Sequence, residues 1–203
     1  MLAVAVAAVT STGGLTPAAA REQMAEHTRA AAVRYGEVHD CVLGLIARQA
    51  PVAGDLRLAL ALLHVNDRVE RVGAQCRNLL TLRLALREGE RLPDAPLRCV
   101  SDMATLAGEQ LRDAGAAFAA RDVQASRRLQ VRDSRIDAHN RRCFELAVRA
   151  AGQAGEREAA LIVVLMARAL ERVGDNAVDI AQQVQFAVEG RLRVPSLATV
   201  AES

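Results

Sequence analysis

The pentapeptide Val69-Glu70-Arg71-Val72-Gly73 returns 101 residues later as Leu170-Glu171-Arg172-Val173-Gly174. Both copies fall inside long proline-free segments, and each occupies the last of three such segments. A repeat in equivalent places points to a duplicated structural unit, and its two copies must fold alike. The unit itself is helical. Aromatic residues make up only 2% of the chain, with no Trp, so the core must come from Ala, Leu and Val. Ala and Leu are strong helix formers, and few segments alternate apolar and polar residues as a half-buried strand would.

Punctuation divides the chain into helices. Residues 1–12 read as a short apolar helix ending at Thr12-Gly13-Gly14. Its apolar run is too short to span a membrane and has no basic residue before it, so it reads as a packed helix rather than a signal or anchor. Thr16-Pro17 resembles an N-cap with Pro in the first turn, which opens a helix over 17–49. Ala50-Pro51 breaks it, and a third helix covers 52–87. The segment 88–96, with one Gly and two Pro, is the linker. Further helices cover 97–120, 122–151 and 156–189, with Gly152 to Gly155 as a turn and Gly190 as the last cap.

Short connections make neighbouring helices antiparallel. The expected fold is therefore all-α, two tandem antiparallel three-helix bundles with a truncated first helix. The bundles are expected at 1–92 and 93–190, with a loose tail at 191–203. A net charge of +2, with Arg interspersed among Glu and Asp, gives no basic block for nucleic acid. Cys41, Cys76, Cys99 and Cys143 form no C-x-x-C pair, and each is expected to be a small buried hydrophobe in a reducing compartment.

The second copy of the repeat carries more chemistry than the first. Glu171, Asp175 and Asp179 follow at intervals of four, which stacks them as one acidic stripe on a helix. Asp133 and Asp137 have the same spacing on the preceding helix. If those helices pack antiparallel, Asp133, Asp137, Glu171 and Asp175 converge, and carboxylates on rigid supports suit hard cations. The same stripe also reads as a solvated face paired with Arg168 and Arg172, opposite a core arc of Met166, Leu170, Val173, Ala177, Ile180 and Val184. In the first copy Ala74 stands where the second has Asp175, and the second helix offers Glu37 and Asp40 without a four-residue pair. His27, His39, His64 and His139 are scattered, and no nucleophile motif or phosphate-cradling loop occurs. The chain does not read as an enzyme.

Glu171-Arg172-Val173-Gly174-Asp175-Asn176-Ala177-Val178-Asp179-Ile180-Ala181 resembles the E-R-x-x-D-x-A-x-x-I/V-A signature of the PhoU family. Gln49-Ala50-Pro51-Val52-Ala53-Gly54-Asp55-Leu56-Arg57 is similar to that family's inter-helix Q-x-P-V-A-x-D-L-R segment, and the likeness covers roughly residues 20–190. The resemblance implies a phosphate transport regulatory protein, a negative regulator of the phosphate-starvation response and of phosphate uptake that acts through protein contacts. It implies a cytoplasmic homodimer, peripheral to the inner membrane face at most, whose partners are the phosphate ABC-transporter ATPase and a sensor histidine kinase. It also implies a multinuclear iron, zinc or manganese site. Matching positions carry the ligand set to Asp133, Asp137, Glu171 and Asp175, with Asp179 as a further candidate. The loss of Asp at Ala74, and the absence of acids near Thr28 and Ala32, leave the first cluster without ligands. The alternative is a diverged metal-binding scaffold of the same fold that serves another signalling partner.

Overall fold

A computed structural model describes residues 1–10, 16–86, 92–152 and 156–191. Among these residues there is no strand, and the helices are α1 (Leu2–Thr10), α2 (Pro17–Gln49), α3 (Ala53–Leu84), α4 (Asp94–Ala120), α5 (Val123–Arg132), α6 (Ser134–Ala150) and α7 (Arg157–Glu189). The architecture is the expected bundle of helices, with a first helix of 9 residues against 33 in the second. The Thr12-Gly13-Gly14 stop, residues 88–91 of the linker, residues 153–155 of the turn and the tail beyond 191 lie outside the described residues.

Local chemistry explains three helix ends. The Ala19 N–H donates to Thr16 Oγ1 at 3.2 Å, and Pro17 begins α2 without sacrificing an intrahelical bond. Asp122 caps α5 in the same way, accepting from the Ala125 N–H at 2.9 Å. Gly190 closes α7 at φ 73°, a left-handed conformation that glycine adopts without steric cost. Ala50 and Ala53 take positive φ around Pro51, so the turn between α2 and α3 is held against their intrinsic preference. One expected helix is divided. The segment 122–151 breaks at Asp133, where the ladder tightens: the Ile136 N–H donates to the Asp133 carbonyl at 2.9 Å, while the longer Asp137 contact reaches 3.4 Å. The break falls where Asp133 meets Gln110 of α4 and approaches Gly174 of α7, contacts that are not visible in local propensity.

α7 is the spine. It packs on α3, α4, α5 and α6, and the whole expected arc from Met166 through Val184 is buried. Enclosing each of its larger apolar side chains contributes about 1.5–3 kcal/mol, which ties four other helices to this one. α3 runs antiparallel to α7, since Arg68 meets Asp179 near mid-helix while Arg57 lies beside Gly190 at the end. One apolar cluster runs from Met24 on α2 and Leu79 on α3 to Met103 on α4, Cys143 on α6 and Leu170 on α7. The repeated third helices therefore meet each other, and apolar contacts join the two halves. α1 covers only part of α3, with Met1 beside Gly73 and Leu2 beside Gly108.

The two repeat glycines face different neighbours. A Cβ on Gly174 would stand 2.7 Å from Ile136 Cδ1, which is buried and belongs to α6. A Cβ on Gly73 would meet the Met1 sulfur at 3.4 Å, the end of a flexible side chain. Overpacking costs about 1–3 kcal/mol, whereas Ala is favoured over Gly by about 1 kcal/mol in a helix interior. Gly174→Ala should therefore lower Tm, and Gly73→Ala should leave it unchanged or raise it. Adding Ile136→Val, which deletes the opposing methyl, should make the Gly174→Ala loss smaller than in the parent. Equal Tm values for both alanine variants and the parent would remove the close approach from this account.

Candidate metal centre

Close contact at Gly174 brings the start of α6 against the middle of α7. The Asp133 Oδ1 atom lies 3.7 Å from the position a Gly174 Cβ would take. Asp137 follows one turn later on α6, and Glu171 and Asp175 flank Gly174 on α7. The helices are antiparallel, and Asp133, Asp137 and Glu171 lie near enough to Asp175 for their charges to act on it. As the side chains stand, no three His, Cys, Asp or Glu groups among the described residues gather closely enough to enclose a metal ion.

The five carboxylates do not share one environment. Glu171 is held by Arg168, one turn earlier on α7. Asp179 pairs with Arg68 of α3 at 3.2 Å, so the stripe's last member is bound to the other half of the molecule. Asp133 accepts from Gln110 Nε2 of α4 at 2.9 Å. Asp137 and Asp175 have no hydrogen-bond or ion-pair partner among the described residues. The solvated, salt-bridged face thus accounts for the outer members of the stripe and not for Asp175.

Electrostatics follow this geometry. Burial, followed by the charges of Asp133, Glu171 and Asp137, pushes the Asp175 carboxyl up to about 6, against a weaker pull from Arg168. The residue keeps exposed surface, yet its neighbours displace part of the water around the carboxyl. Burial also raises Asp133; the Gln110 hydrogen bond opposes this, and Asp137, Glu171 and Asp179 add to it. A set of carboxylates that resist one another is the electrostatic demand that a cation satisfies. Oxygen donors on two rigid helices suit divalent iron, zinc or manganese in type. The donor type at Asp133, Asp137, Glu171 and Asp175 suits such a cation, while Glu171 is engaged by Arg168 and Asp179 by Arg68.

The first copy is neutralised instead. Tyr35 Oη donates to Asp67 Oδ1 at 2.8 Å, Arg77 Nη2 pairs with Glu70 at 3.2 Å, and Ala74 contributes no carboxylate. Gln110, Arg68 and the clearance at Gly174 could not be read as parts of the site, because no spacing rule links α4 or α3 to the stripe. A glycine inside an otherwise strong helix was the one available signal, since such a residue usually marks a packing need. Among the described residues no helix is long and apolar enough to cross a membrane.

Comparisons with known proteins agree with this architecture. The PhoU domain family matches residues 100–184, which include both acidic pairs. The phosphate-specific transport system accessory protein PhoU homolog of Caulobacter vibrioides is 31% identical over 155 residues, covering 76% of this chain and 67% of that protein. A homolog 1 of the same description from Methanothermobacter thermautotrophicus is 29% identical, covering 83% and 77% respectively. The crystal structure of PhoU from Pseudomonas aeruginosa superposes with a TM-score of 0.84 at 21% identity, over 94% of this chain and 89% of that one. The phosphate transport system regulatory protein PhoU from Streptococcus pneumoniae gives 0.82 at 17% identity, over 96% and 90%. At those identities the two structures speak for the fold.

The raised Asp175 carboxyl sets a pH dependence with a definite sign. An acid whose pKa is higher folded than unfolded binds its proton more tightly in the fold. Its stabilising contribution is complete below the unfolded value, near 4, and is lost as pH rises through about 6. In metal-free protein, Asp175→Asn should therefore raise Tm at pH 7.5, and the advantage should vanish below pH 4. Thermal melts across this range check it. A lower Tm at pH 7.5 would show that the charge is compensated in the fold.

Proposed function

The chain belongs to the PhoU family, and we propose that it acts as an accessory and regulatory protein of phosphate transport. In this reading it restrains both the phosphate-starvation response and phosphate uptake by contacting other proteins in the cytoplasm. The observation that carries it is the match to accessory proteins of the phosphate-specific transport system across three quarters of the chain, 76% for the Caulobacter vibrioides relative. The helical spine supports it as well. α7 packs on four helices, so its acidic stripe lies on the element that joins both halves of the molecule. The partners proposed are the phosphate transporter ATPase and a sensor histidine kinase, met by a homodimer at the inner face of the membrane.

The chemistry needed is cohesion rather than turnover. Asp133, Asp137, Glu171 and Asp175 would hold iron, zinc or manganese, which would supply positive charge to carboxylates that otherwise repel. Gln110 fixes the Asp133 side chain from α4, and Arg168 keeps Glu171 oriented on its own helix. Gly174 lets α6 approach closely enough for the two pairs to face one another. Removing the repulsion would stiffen the junction of α4, α6 and α7. The first half has its acids engaged by Tyr35 and Arg77, and it is proposed to take no metal.

Deletion of the gene should raise expression of phosphate-responsive genes at high phosphate, and the wild-type chain supplied in trans should restore repression. Unchanged expression after deletion would sink the regulatory reading. Elemental analysis of protein purified without chelator should find iron, zinc or manganese, and Glu171→Ala with Asp175→Ala should abolish that content. Metal retained by the double variant would place the site elsewhere.

A further inference from the structure

Outside the acidic junction, α4 and α6 meet a second time through sulfur. Cys99 on α4 and Cys143 on α6 are both buried, and the Cys143 thiol donates to Cys99 Sγ at 2.7 Å. That separation is only about 0.7 Å beyond an S–S bond. Cys99 in turn donates to the His139 carbonyl of α6 at 3.6 Å, which fixes its sulfur toward its partner. Cys41 is exposed, contrary to the expectation that all four cysteines are buried hydrophobes, and Cys76 is buried on α3; neither has a thiol neighbour among the described residues. The pairing is therefore specific to two residues 44 positions apart.

We propose that Cys99 and Cys143 form a dithiol–disulfide couple whose oxidised state clasps α4 to α6. The two helices are already registered by the Gln110–Asp133 hydrogen bond, about ten residues along each helix, or roughly 15 Å away. A bond at the sulfur pair fixes the far end of that same contact. It holds α4 and α6 in the arrangement that presents Asp133 to α7.

The oxidant class is a low-molecular-weight disulfide. One protein thiol loses its proton and attacks, forming a mixed disulfide while one small thiol leaves with a proton. The second protein thiol then displaces the remaining small thiol, so two protein S–H bonds become one S–S bond and the oxidant departs as two thiols. Burial, with the neighbouring Cys99 thiol, pushes the Cys143 thiol far above its ordinary range, so little thiolate exists in the closed fold. Exchange proceeds through local opening and is slow in buffer alone. Urea below the unfolding midpoint accelerates it.

The full chain is incubated with glutathione disulfide in such sub-denaturing urea, quenched with acid, unfolded and labelled with N-ethylmaleimide. The expected product is a monomer in which neither Cys99 nor Cys143 is labelled or carries glutathione, and its digest contains one peptide pair joining Cys99 to Cys143, two hydrogens lighter than the reduced pair. After removal of urea its Tm should exceed that of the reduced protein by roughly 10 °C, from closure of a long loop. Cys99→Ala should give no linked peptide, leaving Cys143 as a free thiol or an unresolved glutathione adduct, and should abolish the shift. In the parent chain, four labelled thiols after equilibration, stable glutathione adducts on Cys99 or Cys143, or a link through Cys41 or Cys76 would each overturn the proposal. The urea removes slow opening as a reason for failure.

Discussion

Much of this molecule depends on the absence of a side chain at Gly174. With no Cβ there, Ile136 of α6 sits against the α7 backbone and carries Asp133 with it. The approach does two things together. It completes the apolar packing around the spine helix, and it forces carboxylates from two helices into one another's field. Burial of Ile136, Leu170 and Val173 stabilises the contact, while the crowding of Asp133 beside Asp175 opposes it. The fold accepts the electrostatic cost because the apolar packing cannot be had without it. A cation at that place would relieve the cost without changing the packing.

The first copy of the repeat lacks such a junction. In the first copy the glycine stands as Gly73, but Met1, just before the short α1, occupies the space beside it. Asp175 has become Ala74 at the equivalent place, and the remaining acids have found hydrogen bonds or cations in Tyr35 and Arg77. Each change removes a reason for the others to persist. A helix pair without opposing acids has no charge to relieve. The salt bridge between Arg68 and Asp179 joins the silent half to the charged one. Through it α3 is tied directly to the stripe.

The helical class, the positions of α2 and α7, their caps at Thr16 and Gly190, and the buried arc of α7 were all legible from spacing and capping chemistry. So was the facing of Asp133 and Asp137 toward Glu171 and Asp175, which needed only antiparallel packing. What the sequence hid was decided by contacts between distant segments. The break at Asp133 comes where Gln110 of α4 and the α7 backbone meet the helix, and local propensity gives no sign of it. Arg68 looked like any other surface arginine until α3 was placed beside α7. Four dispersed cysteines gave no hint that Cys99 and Cys143 meet, because the register of α4 on α6 is a tertiary fact. The sequence pattern left the stripe divided between a solvated face and a metal site, and its members turn out to differ: Glu171 and Asp179 are paired, and Asp175 is not.

The central claim is that Asp175 is held among like charges with too little opposite charge nearby. Carbon NMR titration of its side-chain carboxyl, in protein freed of metal, measures this without reference to stability or function. The midpoint should lie near pH 6, and it should fall in Asp133→Asn, which removes the largest of the neighbouring charges acting on it. A midpoint near the ordinary carboxylate value of about 4, unmoved by that substitution, would contradict the account.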